Sequence, residues 1–203
     1  MFSKIRSIRQ LVRKSHVANT LPYHIQPIRD SITQICNIDK ISFIKFEEPD
    51  NPIIGRYLRY EGAMGVYSAG TCVDVQYSSQ LNYCWSRFVV CKEMCHALLD
   101  DMNNRVSSPN ELLKLVDHLL LPETSREVFA AFPAFASERL AALAALELLC
   151  PIEDRMIVSK KRQAGTVSDA KIAEDFRIPR VIIKTAFDPK YIDFVAKLIN
   201  SDL

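Results

Sequence analysis

Four of the chain's five glycines fall between residues 55 and 70, within a stretch that alternates apolar and polar residues. Residues 41–48 read ISFIKFEE, Arg56–Glu61 and Met64–Ser68 flank Gly62, and Thr71–Tyr77 reads TCVDVQY after Gly70. Alternation rich in β-branched and aromatic residues is the period of a half-buried strand, and glycines between such runs predict hairpin turns at positive φ. A small antiparallel sheet of three or four strands is expected. After Ser79 the period becomes helical. One long apolar-striped helix is predicted over Tyr83–Met102. Another opens at Ser108 with SPNE, a cap, a proline at the first helical position and Glu111 at the third. An Ala/Leu-rich helix over Ser137–Leu149 stops at Pro151. Val167–Phe176 and Pro179–Phe187 form a helix-turn-helix-like pair with Ser168 as a cap, and a last helix covers Pro189–Asn200. A sheet followed by helices is the α+β class.

At 203 residues the chain suits one domain, or one with a small appendage. Its 26 basic against 24 acidic residues exclude nucleic-acid binding through bulk charge. The second helix of the C-terminal pair offers only Arg180, Lys184 and Thr185 among aliphatics, so it is read as packed on the core and gives no strong direct nucleic-acid signal. The Lys160-Lys161-Arg162 run is a candidate contact for an acidic partner. No window approaches about 18 consecutive apolar residues, so no membrane span is expected. The opening MFSKIRSIRQLVRK lacks the apolar core of a secretory signal, and six scattered cysteines point to a reducing, cytoplasmic setting. The first 29 residues hold six basic side chains and no acid. Ile5, Ile8, Leu11 and Val12 recur there at helical spacing, which suits either a basic arm or a helix packed on the domain. Pro22 and Pro27 precede a short helix over Ile28–Cys36.

The segment that carries chemistry is RFVVCKEMCHALLD, Arg87–Asp100. Glu93 and His96 stand three apart and share a helix face, with Lys92 one turn before His96 and Asp100 one turn after it. A zinc-peptidase helix reads His-Glu-x-x-His: two imidazoles one turn apart hold the metal and the Glu activates its water. Here the Glu and the second His are present, and Lys92 stands at the first His. A Glu-x-x-His match alone is common in helices.

Together with a later segment, this one resembles the ImmA/IrrE family of small zinc metallopeptidases. Arg87-Phe88 matches an Arg-Phe pair ahead of that family's metal helix. Glu138, followed by RLAALAALELLCP, matches the helix that supplies its third ligand, with Ala141, Ala145, Leu148, Leu149 and Pro151 in register. Ala142 and Ala144 depart from the family's Asn and aromatic, and Cys95 replaces the Gly before the second His. The resemblance implies a zincin-like domain over residues 30–158, between a basic segment over 1–29 and a helical extension over 159–203. It implies Glu93 as general base, His96 and Glu138 as zinc ligands, and a helix-turn-helix regulator as substrate or partner.

Lys92 departs most. An ammonium has three donors and no lone pair, and it must lose a proton with an ordinary pKa of about 10.4 before it can bind zinc. Three readings follow. In the first the site is metal-free: the Lys92 ammonium neutralises Glu93 and Glu138, and the chain is a pseudo-peptidase that binds a regulatory protein. In the second, His96, Asp100 and Glu138 form a shifted zinc site of an active metallo-endopeptidase that cleaves a repressor. In the third, Cys84, Cys91 and Cys95 take part, although Cys91 and Cys95 lie about 100° around the helix from Lys92 and His96. His16, His24 and His118 could each supply a missing ligand by folding back.

Overall fold

The structure is a computed structural model and describes residues 1–15, 21–48, 53–99, 105–107 and 133–200. Helices α1 (Phe2–Ser15) and α2 (Ile25–Ile35) precede strands β1 (Lys40–Phe46), β2 (Gly55–Ala63) and β3 (Ala69–Ser78). Helix α3 (Tyr83–Cys95) tightens into a 3₁₀ turn over His96–Leu99, and β4 (Arg105–Ser107) returns to the sheet. Helices α4 (Pro133–Leu149), α5 (Ile152–Gln163), α6 (Asp169–Phe176), α7 (Arg180–Ala186) and α8 (Pro189–Asn200) complete the chain. A small sheet with a helical core and C-terminal helices is an α+β fold, as expected. The helix predicted from Ser108 lies outside the described residues.

The sheet is mixed, which corrects the antiparallel expectation. Its order is β1-β3-β2-β4, and β1 runs parallel to β3, with Val73 opposite Ile41 and Val75 opposite Phe43. The short turn after Ala63 forces β2 and β3 into an antiparallel hairpin, with Tyr57 opposite Val75. The longer connection after Phe46 leaves room for β3 to lie between β1 and β2. Met64–Ser68, read above as a strand, is the hairpin turn. None of the four clustered glycines has a positive φ. What Gly55, Gly62 and Gly70 supply is space. A Cβ on Gly62 would lie 2.8 Å from Cys72 Sγ, and one on Gly55 would lie 2.5 Å from Glu93 Oε1.

Helices α3 and α4 form the centre. Every residue from Arg87 to Cys95 is buried, and Ala141–Leu149 is buried without interruption. A helix that is apolar on all sides belongs inside a core, and α4 has that composition. Ile5, Ile8 and Val12 of α1 share this core with Ile182, Ile183 and Phe187 near α7, and with Val195 and Ile199 of α8. The basic α1 is thus packed by one face and solvated by the other. In the C-terminal pair, Ser168 caps α6 by accepting from Lys171 N, and α7 buries Ile182, Ile183, Thr185 and Ala186.

Helix α5 was not anticipated, although its signal is in the sequence: Pro151 at the cap, Glu153 and Asp154 in the first turn, and Lys160, Lys161 and Arg162 in the last. It carries a buried charge network. Arg155 ion-pairs with Glu147 of α4 and donates to Ala186 O at 3.1 Å, while Ser159 Oγ donates to Phe187 O at 3.0 Å. Arg9 of α1 pairs with Glu153, and its other terminal nitrogen lies 3.9 Å from Glu147. Glu147 therefore joins α1, α4 and α5 and, through Arg155, the end of α7. Arg162 closes α5 onto Asp169 at 2.6 Å. Removing one member of a buried ion pair leaves an uncompensated charge, so Glu147→Gln should lower stability by about 3 to 5 kcal/mol. Urea unfolding checks this, and an exposed pair variant such as Lys171→Gln should move the midpoint far less.

Candidate functional site

Lys92, Glu93 and His96 project from the buried end of α3 toward Glu138 near the start of α4. The Lys92 Nζ lies 3.1 Å from Glu93 Oε1 and 2.5 Å from Glu138 Oε2. His96 Nε2 lies 3.1 Å from Glu138 Oε1 and 3.7 Å from Glu93 Oε2. Each carboxylate thus faces the ammonium with one oxygen and the imidazole with the other. The four side chains close a ring. Lys92, Glu93 and His96 are fully buried, and Glu138 alone among them reaches the surface, at 16% exposure.

Local structure explains the convergence. Lys92 and His96 are one helical turn apart and Glu93 is three residues before His96, so all three fall on one side of α3. The 3₁₀ turn begins at His96, whose backbone N–H bonds Glu93 O and Met94 O, and the predicted helix beyond it tightens there. Strand β2 roofs the cluster. Tyr57 sets its ring 5.7 Å from the His96 ring, and Gly55 leaves room for Glu93.

The charges answer one another. Burial alone would lower Lys92, but the charges of Glu93 and then Glu138 outweigh it and raise its pKa. Burial alone would raise Glu138, but the close His96 imidazole and the Lys92 charge bring it down to about 2. Both shifts preserve the ion pair. A protonated Lys92 is neither nucleophile nor base, and it offers a metal no lone pair.

The residues as arranged therefore do not fit a zinc ion. Glu138 spends both oxygens on Lys92 and His96, and a divalent cation brought between them would meet the ammonium at a cost of several kcal/mol. Among the described residues, no group of three or more His, Cys, Asp and Glu side chains is placed to hold a metal. Asp100, the extra ligand of the shifted-site reading, lies outside the described residues, as do His16 and His118. His24 is exposed, at the N-cap of α2.

Two further residues of the motif segment stand apart from the ring. Cys95, which stands where the resembled family has Gly, is fully buried, and burial followed by the Cys91 thiol pushes its pKa well up. Cys91 Sγ approaches Ala145 O of α4 at 3.9 Å, so both behave as core thiols. All six cysteines are free. Arg87 leaves the cluster too: Nη2 donates to Tyr23 O at 2.7 Å and Nε to Arg177 O at 3.3 Å. Sequence reasoning missed Gly55 and Tyr57, whose roles depend on register and not on any motif.

No known family model and no curated protein matches the chain.

Two outcomes follow from this geometry. Because its folded pKa is depressed, Glu138 contributes stability that is complete above its ordinary value near 4.5 and is lost as pH falls toward about 2. Glu138→Gln should remove that part of the acid unfolding curve and cost on the order of 3 kcal/mol at neutral pH, measured by urea titration at several pH values. Gly55→Ala places a Cβ against both Glu93 Oε1 and, at 2.7 Å, Val89 Cγ1. It should cost about 1 to 3 kcal/mol, visible as a lower Tm, because neither neighbour is free to retreat.

Proposed function

We propose that the chain is a metal-independent binding protein built on an ImmA/IrrE-like peptidase scaffold, with the Lys92 ammonium standing where that family places a zinc ion. The observation that carries this reading is the contact set of Lys92. A single positive nitrogen lies 3.1 Å and 2.5 Å from the two carboxylates that the resemblance assigns to the general base and the third ligand. Two buried carboxylates this close repel each other unless a cation lies between them. Lysine supplies that cation from within the chain, holds the scaffold together and leaves no activated water. On this account Glu93 and Glu138 are retained for stability, and His96 is a hydrogen-bonded core residue.

The partner in this proposal is a helix-turn-helix regulator, bound without being cut, in a cytoplasmic setting that suits six free thiols. Among the described residues, no helix is long and apolar enough to cross a membrane.

Elemental analysis of the purified protein tests the metal part. The wild type should carry far less than one equivalent of zinc, and Lys92→His should take up about one equivalent in a manner that Glu138→Ala abolishes. Stoichiometric zinc in the wild type, lost on Glu138→Ala, would establish the active metallo-endopeptidase instead. A regulator encoded beside the gene should bind the wild type and remain intact over hours of incubation. Chelator-sensitive cleavage of it would overturn the proposal.

A further inference from the structure

Three buried cations of this chain are compensated inside the fold. Lys92, Arg9 and Arg155 each meet a carboxylate within the fold. Arg87 is equally buried, at 6% exposure, and meets none among the described residues. Its hydrogen bonds go to two neutral carbonyls, those of Tyr23 and Arg177, and its guanidinium lies 5.7 Å from the centre of the Tyr83 ring. A buried charge held only by dipoles is costly, and an anion beside it would lower that cost.

Arg87 lines a cavity of about 440 Å³ between β1, β3, α2 and the first turns of α3. No acidic side chain lines it. Lys45 stands on the wall formed by the sheet, its ammonium 5.9 Å from the Tyr77 ring and without an ion pair among the described residues. Phe43, Tyr77, Tyr83 and Val90 give the rest of the wall an apolar and aromatic character. A pocket of this size, mostly apolar with a few convergent charged groups, has the form of a small-ligand site. Two cations that face a shared space, with no internal counter-charge, select an anion. Aromatic and aliphatic walls select an apolar body attached to it.

We propose that this cavity binds a carboxylate carried on a short apolar or aromatic body. The carboxylate would lie against Arg87 and Lys45, and the body against Phe43, Tyr77 and Val90. The guanidinium edge matches a planar carboxylate in geometry, and the flanking ammonium adds charge without demanding an orientation. The site does not involve Lys92, so it stands or falls independently of the metal question.

Calorimetric titration of the intact protein with 4-phenylbutyrate, its neutral amide and inorganic phosphate tests the assignment. The acid should bind one to one and at least about tenfold tighter than the amide, the margin expected for hydrogen bonds to a charged group. Lys45→Gln, a change on an exposed side chain, should weaken binding of the acid several-fold without moving the Tm. Arg87→Gln should abolish it. Since Arg87 also ties the chain at Tyr23 and Arg177, its Tm is measured alongside, and Lys45→Gln carries the test if that variant unfolds. Equal binding of acid and amide would overturn the proposal. So would phosphate binding as tightly as the acid, or unchanged affinity in Lys45→Gln.

Discussion

One ammonium between two carboxylates organises the middle of this protein. Lys92 is fully buried, and isolated burial of its charge would be prohibitive. Glu93 and Glu138 make it tolerable, and Lys92 in turn makes them tolerable, since neither acid could remain ionised beside the other in the same dry space. His96 completes the ring by taking the remaining oxygens. The arrangement fixes α3 against α4 at one end through a mutual requirement, and β2 closes over it because Gly55 presents no side chain.

The other end of α4 follows the same logic. Glu147 compensates Arg155 and approaches Arg9, and through them the N-terminal helix and the C-terminal helices share one core. Helices α3 and α4 are otherwise apolar around their circumference, so hydrophobic burial supplies the driving force and has little directional preference. The two charge clusters add direction, because each can be satisfied in only one relative placement of its helices. Arg87 marks where this internal compensation stops. It binds carbonyls where Lys92, Arg9 and Arg155 meet carboxylates, and it faces a cavity.

Much of the fold was legible in periodicity. The helices over Ser137–Leu149, Val167–Phe176 and Pro189–Asn200 are found within a few residues of their expected bounds, because caps and apolar spacing are local signals. The strands were legible as strands, but their order was not. A parallel β1–β3 pair depends on which strand fills the gap left by a long connection, and nothing in ISFIKFEE states that. The glycine cluster misled in an instructive way. Turn rules give such glycines backbone freedom, while Gly55 and Gly62 serve to let Glu93 and Cys72 approach, a tertiary reason that no turn rule contains. At the site, the helix spacing put Lys92, Glu93 and His96 on one side, and the Ala/Leu helix located Glu138. The roof of Tyr57 and Gly55 required the sheet register. The carboxylate partner of the core, Glu147, was hidden inside an apolar run whose completeness drew attention away from its one acid.

A protonated lysine nitrogen bridges Glu93 and Glu138. A crystal grown with excess zinc, with anomalous diffraction collected at the zinc edge, tests it most directly. Lys92 Nζ should stay in contact with both carboxylates, with no anomalous peak bonded to His96 Nε2 or Glu138. A zinc peak ligated by His96 and Glu138, with Lys92 turned away, would contradict it.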